Sequence, residues 1–345
     1  MLWLVFSLPL AVLAGVLIML ARQSGAILVE RSRVIAVAPQ AAFEVVRDLR
    51  GWPDWSPWLL HEPEAKLEYS ADPAAEGGWY RWDGRLIGAG RIEHRRLLAP
   101  GAQPDGAGRI EQRIVFERPF RSAADVAWNL APVEGGTEVT WCMQGRMPFL
   151  LRFLAPAMAR MTGKDYELGL VRLRARLDPE APRFRLRFIG VTGAPPQTAL
   201  TIPFDGGIDA MVAAMEQGFP RLAAAAAGHG IEPAGSPFTA YHVADTTHGH
   251  FEGDLALPVP EGTPAVADDS GELVVKRLGG GFFYAVEVQG GYEFLELAWY
   301  AAMGHLRMVK QKWDRGRASL EVYDVEPSGV ASSDEIRTRI LVPVR

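Results

Sequence analysis

Residues 27–58 read ILVERSRVIAVAPQAAFEVVRDLRGWPDWSPW, and this stretch decides the fold of the first half of the chain. Its first part, residues 27–37, is rich in β-branched side chains and predicts a strand. Pro39 and the apolar residues after it predict a short helix. Residues 51–58, rich in Trp and Pro, predict a turn or a second short helix.

Six further segments alternate between apolar and polar residues and are separated by turns that contain Gly or Pro. They are residues 65–70, 78–84, 90–98, 109–118, 122–130 and 137–145. A period of two with this punctuation predicts an antiparallel meander. After Pro156, apolar residues recur at helical spacing as far as Leu177, which predicts a long closing helix. One long helix against a curved antiparallel sheet leaves a cavity between them.

Two of these segments carry a resemblance to a known family. Residues 29–58 resemble the opening of the SRPBCC superfamily, the polyketide-cyclase/START-like helix-grip proteins, and GKDYELGLVRLRARL (163–177) resembles its closing helix. The resemblance implies a helix-grip domain over residues 27–178 with a hydrophobic ligand cavity. It implies no particular chemistry, because this fold hosts carriers, cyclases and sensors alike.

Aromatic and acidic residues of this first domain are candidates for lining the cavity. Binding cavities are mostly apolar with a few polar groups, so Trp55 and Trp82 are candidate wall residues, with core packing as the alternative for each. Glu93 and Glu111 lie in alternating strands, and either is a candidate for the polar group of the cavity.

Residues 183–345 contain an internal repeat. PFTAYHVADTTHGHFEGDLALPVP (237–260) parallels SLEVYDVEPSGVASSDEIRTRILVPV (319–344). A helix-like stretch precedes each copy, at 207–227 and at 292–313. A strand precedes each of these helices, around 198–204 and around 282–288. The order β-α-β-β therefore occurs twice and buries each helix on one shared sheet. The whole chain is predicted to be α+β.

This second half resembles the gyrase-inhibitor-like (GyrI-like) effector-binding domain, through residues 279–306 and LEVYDVE (320–326). The resemblance implies a glutamate in an E-x-Y context at the bottom of an aromatic cleft between the two halves, and Glu321 and Tyr323 match that motif. A carboxylate ringed by aromatic side chains attracts organic cations.

The repeat adds further candidate ligand-binding residues to this cleft. Tyr241 is the repeat counterpart of Tyr323, and Thr239 stands opposite Glu321, so one central carboxylate is expected. Phe283, Tyr284 and Trp299 are candidate aromatics. The first two alternate across a strand and cannot both face the ligand.

The N-terminal stretch Leu2–Ala21 is uncharged and, as a helix, about 30 Å long, which matches the hydrocarbon core of a bilayer. Arg22, Arg31 and Arg33 follow it and no Lys or Arg precedes it, which predicts a single-pass anchor over residues 1–22 with the rest of the chain in the cytoplasm, on the inner membrane. A cleaved signal peptide ending at the small residues 24–26 is the alternative.

Composition and motifs exclude several function classes. The net charge of −5 does not indicate a surface that binds nucleic acid. The one cysteine, Cys142, lies in an alternating run typical of a core strand. His248 and His250 lie in a polar loop, which favours a solvated turn over a metal site. No metal or cofactor is predicted. The sequence favours a membrane-tethered binder of small hydrophobic or cationic molecules, with a hydrolase-like detoxifying enzyme that uses Glu321 and a cleft tyrosine as the alternative.

Overall fold

The structure, a computed structural model, describes residue 15 and residues 17–102, 104–266 and 271–345. The chain separates into two compact units, Met1–Ala181 and Pro182–Arg345. Most of the predicted anchor, Leu2–Ala21, lies outside the described residues. Among the helices that are described, none is long and apolar enough to cross a membrane.

Over the described part of residues 26–178, the first unit is a seven-stranded antiparallel sheet with two α-helices, and each strand and helix predicted in this range forms. Its strands are β1 (Ala26–Ile35), β2 (Lys66–Tyr69), β3 (Trp79–Asp83), β4 (Ala89–Leu98), β5 (Gly108–Arg118), β6 (Ser122–Val133) and β7 (Gly136–Arg146), and its helices are α1 (Pro39–Arg47) and α2 (Ala155–Leu177), with 3₁₀ turns at Leu49–Asp54 and Phe149–Leu154. The strand order is β1-β7-β6-β5-β4-β3-β2. The meander runs from β2 to β7, and β1 closes against β7 at its edge.

The long helix α2 packs across β1, and a glycine sets how closely it approaches the sheet. A Cβ at Gly169 would lie 2.8 Å from the Trp141 ring, which is too close for a side chain. Because Gly169 has none, Tyr166 stacks on Trp141 with ring centroids 3.8 Å apart. Trp141 stacks in turn on Trp128 at 4.2 Å. Each such ring removes roughly 150–250 Å² from water, so this stack is a major part of the core.

In its described residues, the second unit is an eight-stranded antiparallel sheet with two α-helices. Its strands are β8 (Arg185–Ala194), β9 (Gln197–Gly206), β10 (Phe238–Asp245), β11 (His250–Pro258), β12 (Val274–Leu278), β13 (Gly281–Gln289), β14 (Ser319–Val325) and β15 (Arg337–Pro343), and its helices are α3 (Ile208–Gly228) and α4 (Leu295–Met308). The order is β12-β9-β11-β10-β14-β15-β13-β8. The central six strands mirror each other about the β10–β14 pair, as two successive β-α-β-β segments.

The outer strands β8 and β12 were not predicted from the sequence, and they cross between the halves. β8 leads directly into β9 but pairs with β13, while β12 leads into β13 but pairs with β9. In a flat sheet β8 and β9 would be about 29 Å apart, whereas the chain from Ala194 to Gln197 spans at most about 11 Å. The sheet must therefore curl so that its two edges approach each other.

The two edge connections touch, and a glycine makes the contact possible. A Cβ at Gly280 would lie 2.3 Å from the Pro196 backbone nitrogen and 2.5 Å from the Ala194 carbonyl oxygen. No side chain fits this gap. Gly280 is therefore required for the curl that brings the halves of the sheet together.

Both helices of this unit lie on one face of the sheet. α3 packs on β9 and β11, and α4 packs on β13, β15 and β8. The other face is covered by a separate apolar cluster that contains Phe238, Ala240, Phe283 and Val322. Since side chains alternate along a strand, Thr239, Tyr241, Glu321 and Tyr323 point to the face opposite this cluster.

Candidate functional site

Glu321 lies in the middle of β14, at the centre of the second sheet. Its nearest cross-strand neighbour on β10 is Thr239, as the repeat predicts. The side chain is 3% exposed, so its carboxyl group is almost entirely removed from water. A buried carboxyl group is costly unless its oxygens are satisfied.

Three aromatic side chains satisfy the Glu321 carboxyl oxygens. The Tyr323 hydroxyl donates to Oε1 at 2.7 Å, and the Tyr241 hydroxyl lies at 3.5 Å from the same oxygen. The Trp299 indole Nε1 donates to Oε2 at 2.5 Å. Thr239 Oγ1 lies 2.9 Å from the Tyr323 hydroxyl and fixes that ring. The structure thus brings Glu321, Tyr323, Tyr241 and Trp299 together.

Burial controls the ionisation of this cluster. Burial raises the pKa of the Glu321 carboxyl above its ordinary value, and the hydrogen bonds from Trp299, Tyr323 and Tyr241 offset part of the rise. Burial and the neighbouring carboxylate hold the pKa of Tyr241 and of Tyr323 well above that of a free phenol. Both tyrosines are therefore hydrogen-bond donors at neutral pH.

No Lys, Arg or His of the described residues forms an ion pair with Glu321. The other buried carboxylate of this sheet, Asp254, differs in this respect. It contacts Lys276 Nζ at 2.7 Å and His242 Nε2 at 2.9 Å. The Glu321 carboxylate thus has hydrogen-bond donors around it but no positive charge to balance its own.

Further aromatic rings, which the sequence did not single out, extend the wall around the acid. Phe204 of β9 packs on the edge of Tyr241 with centroids 6.1 Å apart. Phe219 of α3 packs on Tyr323 at 5.4 Å. Tyr292, just before α4, lies 5.5 Å from the same ring. A repeat comparison aligns strands, and it cannot show which helix residues reach across to them.

Two of the predicted aromatics lie elsewhere. Phe283 belongs to the apolar cluster on the opposite face of the sheet, with Arg317 above its ring at 4.6 Å. Tyr284 shares the helix-bearing face but forms a short hydrogen bond with His305 Nδ1 of α4. Neither side chain contacts Glu321.

The first unit encloses a second candidate site, a cavity of about 370 Å³ between α2 and the sheet. Its wall is mainly aromatic and aliphatic. The lining includes Trp52, Trp58, Tyr80, Trp82, Ile92, Ile114, Phe116, Phe120, Val126, Trp141, Met143, Met147, Met158, Met161 and Tyr166. Trp82, one of the two candidate wall residues, is among these lining residues. Trp55 is not; it is fully buried behind the wall, 4.9 Å from the Trp52 ring and 5.8 Å from that of Trp128.

The predicted polar groups of this cavity, Glu93 and Glu111, face away from it. Glu93 forms ion pairs with Arg91 and Arg95, and Glu111 forms one with Arg109. The residues that alternate with them along the same strands point inward. The buried residues are Ile92 and His94 on β4, and Ile110, Gln112 and Ile114 on β5. The predicted alternation is present in both strands, but the other phase of each strand faces the interior.

Among the polar groups inside this unit, two sets lie near the predicted strands and the cavity wall. His94 Nε2 contacts the Arg47 carbonyl oxygen at 2.8 Å, and its Nδ1 lies 3.4 Å from Gln112 Nε2. Gln112 Oε1 accepts from Trp128 Nε1 at 3.0 Å. Burial lowers the pKa of His94, so the ring is neutral at pH 7. At the cavity wall itself, Asp165 Oδ2 accepts from Trp58 Nε1 at 3.2 Å.

His248 and His250, the candidates for metal binding, and Cys142, the one thiol, lie outside both candidate sites. Over the described ranges no three His, Cys, Asp or Glu side chains are grouped so as to hold a metal ion. His248 forms a 2.6 Å contact with Asp245 in an exposed turn. Burial and the neighbouring Glu30 raise the pKa of the Cys142 thiol to about 11, which leaves it a poor nucleophile at neutral pH.

Comparison with known proteins finds a similarity for the first unit. Residues 26–178 match the family model described as polyketide cyclase / dehydrase and lipid transport. This match is to the SRPBCC-like family that the opening and closing segments of the unit resemble. No curated protein matches the chain.

Several solved structures are similar to about half of the chain at low identity. The C-terminal domain of EcmrR is 14% identical over 48% of this chain and 98% of its own, with a TM-score of 0.38. Protein CV1439 from Chromobacterium violaceum is 14% identical over 44% of this chain and 98% of its own, with a TM-score of 0.31. The Aha1 dimer from Colwellia psychrerythraea is 13% identical over 44% and 96%, with a TM-score of 0.32.

Proposed function

We propose that this chain is a membrane-tethered binder of small molecules, with an apolar cavity in its first unit and a cation-selective acidic site in its second. The observation that carries the proposal is the Glu321 carboxylate, which is buried among three donors and forms no ion pair with a Lys, Arg or His of the described ranges. An organic cation supplies a balancing charge, and the surrounding aromatic faces stabilise it further.

The first unit contributes an apolar compartment of ligand size. A cavity of about 370 Å³ lies within the usual range for small-molecule sites. Asp165 and Trp58 supply polar atoms at its wall and can orient a ligand that carries one polar group. The match of residues 26–178 to the polyketide cyclase / dehydrase and lipid transport model supports this assignment.

The acidic site is tested with a matched pair of probes, the trimethylanilinium cation and its neutral isostere tert-butylbenzene. Glu321→Gln keeps the shape of the side chain and removes its charge. It should weaken the cation by about 1–3 kcal/mol, or roughly 5- to 150-fold, and change the neutral probe much less. Binding is measured on the full chain by calorimetry or ligand-observed NMR.

Glu287→Gln is the matched control, because Glu287 is an exposed residue of the same sheet that pairs with Arg187. It changes the net charge equally and should leave both affinities unchanged. Equal weakening of both probes by Glu321→Gln, or no weakening of the cation, would remove the carboxylate from recognition.

A hydrolase remains the second candidate, favoured by one feature of the same cluster. A carboxyl group with a raised pKa, 2.7 Å from a tyrosine hydroxyl, can position a water or accept a proton. Incubation with a strained-ring electrophile such as styrene oxide, followed by product analysis, separates the two functions. Turnover that Glu321→Gln abolishes while probe binding persists favours the enzyme.

The tether is the uncharged stretch Leu2–Ala21, with the arginines after it on the cytoplasmic side. Membrane fractionation and protease protection on intact cells test the anchor and its direction. Recovery of a soluble product that starts near residue 27 would favour a cleaved signal peptide instead.

A further inference from the structure

The 3₁₀ turn Phe149–Leu154, between β7 and α2, exposes large apolar side chains, and the Arg152 guanidinium lies over the Phe149 ring at 4.9 Å. Leu150 is 66% exposed, Phe153 is 52% exposed, and Phe149 is also exposed. Three large hydrophobic side chains at this level of exposure within one five-residue stretch are uncommon on a protein that contacts only water. We call Phe149, Leu150 and Phe153 the apolar patch.

The apolar patch adjoins the point where the uncharged N-terminal stretch meets the folded unit. Arg152, within the same turn, donates to the Gln23 carbonyl oxygen at 3.2 Å. The Met147 amide donates to the Gly25 carbonyl oxygen at 2.8 Å, so the backbone on both sides is fixed. Just before Gln23, the described helical residues Leu17, Ile18 and Met19 are exposed as well. Exposed apolar surface is therefore present on both sides of this junction.

The charged residues that flank the apolar patch in sequence are of one sign. Residues 139–164 contain no Asp or Glu, and residues 1–29 contain none either. In the same stretches lie Arg22, Arg146, Arg152 and Arg160. Apolar side chains among basic ones are the composition of a surface that enters an anionic bilayer at headgroup depth.

The cavity of the first unit opens at this same end of the sheet. β7 ends at Arg146, and its neighbours β6 and β5 meet there at the turn that contains Pro119 and Phe120. Arg118, Pro119 and Met161 line the cavity and are also exposed, so they stand at its rim. Met147 and Met158, which flank the apolar patch in sequence, line the cavity as well.

We infer that the apolar patch inserts into the anionic bilayer surface and holds the rim of the first-unit cavity against the lipid. An apolar ligand can then pass between bilayer and cavity without crossing water, which costs free energy in proportion to its apolar area. The inference assumes the membrane setting of the proposed function, but it does not depend on Glu321.

The test places an environment-sensitive probe on the full chain. In a Cys142→Ser background, Leu150→Cys or Phe153→Cys is labelled with the NBD fluorophore, and the protein is reconstituted in vesicles of phosphatidylcholine and phosphatidylglycerol. Nitroxide groups on the lipid acyl chains, either near the headgroup or near the chain end, act as quenchers. The expected result is a loss of roughly half the emission with the shallow nitroxide and a smaller loss with the deep one, since interfacial side chains enter only about 5–10 Å.

Glu134→Cys is the matched control position. Glu134 lies in the exposed turn that precedes β7, about 30 Å from Arg146 along that strand. Its probe should be unaffected by either nitroxide. A second variant, Leu150→Glu, should abolish quenching at position 153 while circular dichroism stays unchanged, because residue 150 is exposed and its substitution does not disturb the core.

The outcomes are distinguishable from those of the proposed function. If the chain floats with vesicles but the probes at 150 and 153 are unquenched, the tether stands and the insertion of the patch is refuted. A blue-shifted but unquenched probe would mean that protein covers the patch, which also overturns the inference. Cation binding at Glu321 is measured separately and is unaffected by either result.

Discussion

Glu62 offers a sharp test of how the first unit holds the wall of its cavity. The side chain is buried, and its carboxylate accepts from three consecutive backbone amides: Arg85 at 2.8 Å, Leu86 at 2.7 Å and Ile87 at 3.1 Å. Ile87 lines the cavity. The loop after β3 therefore depends on one carboxylate for the position of a wall residue.

Glu62→Gln keeps the shape of the side chain but replaces one acceptor oxygen with a donor. Leu86 and Ile87 share one oxygen, so the best orientation of the amide keeps that oxygen and leaves the Arg85 N–H facing an NH₂ group. A buried donor without a partner costs about 1–3 kcal/mol. We expect amide hydrogen exchange in residues 84–88 to accelerate roughly 30-fold, which corresponds to about 2 kcal/mol.

The pH dependence gives an independent check on the Glu62 argument. Burial acts to raise the pKa of Glu62, but the three backbone donors outweigh it, and the net pKa lies below its usual value. A depressed carboxyl pKa contributes stability above the unfolded-state value of about 4.3, and this contribution is lost as the pH falls through the folded-state pKa. Urea unfolding should therefore show a gap between wild type and variant that narrows toward pH 3.

The control for this experiment is Glu64→Gln, an exposed glutamate two residues away. It should leave exchange in residues 84–88 unchanged. Unaltered exchange in Glu62→Gln, or a stability gap that is the same in acid as at neutral pH, would refute the account of this loop.

Two further predictions concern the second sheet and the lone thiol. Gly280→Ala should destabilise the second unit by at least about 2 kcal/mol in urea unfolding, because the added Cβ has no room beside Pro196. Gly279→Ala is the control and should be nearly neutral, because the space around Gly279 is open. Equal effects of the two substitutions would contradict the curled sheet. Cys142 should react with a disulfide reagent at pH 7 at least about 100-fold more slowly than a free thiol, because burial raises its pKa to about 11, and a rate like that of free cysteine would show that the thiol is accessible and ionised.

The sequence predicted the first sheet well because each strand carries a clear alternating pattern and each turn carries Gly or Pro. It did not predict which phase of β4 and β5 faces inward. Both phases mix apolar and polar residues, and His94 and Gln112 are buried only because Trp128 and a backbone carbonyl satisfy them. Such partners come from distant parts of the chain and leave no local signal.

For the second unit, the repeat located both central hairpins and both helices, but it missed β8 and β12. These strands pair with the opposite half, so their role depends on the curl of the whole sheet. The E-x-Y motif and its repeat counterpart correspond to Tyr323 and Tyr241, two strand residues whose hydroxyl groups lie near the Glu321 carboxyl. Phe219 and Tyr292 reach the cluster from α3 and from the turn before α4, where packing decides the contacts and strand periodicity gives no guidance.

The ionisation of Glu321 gives the most direct measurement of the central claim. Burial raises the pKa of the free carboxyl, and a bound cation stabilises the charged form and lowers that pKa again, so binding must expel protons when the free group is partly protonated. Calorimetry of trimethylanilinium binding to the full chain, in two buffers of different ionisation enthalpy between about pH 4 and 7, measures this release. For trimethylanilinium and the wild-type chain, we expect proton release on binding and an affinity that rises with pH. We expect neither effect when tert-butylbenzene binds the wild type or when trimethylanilinium binds the Glu321→Gln variant. A cation that binds wild type with the same enthalpy in both buffers and the same affinity across this pH range would contradict the central claim.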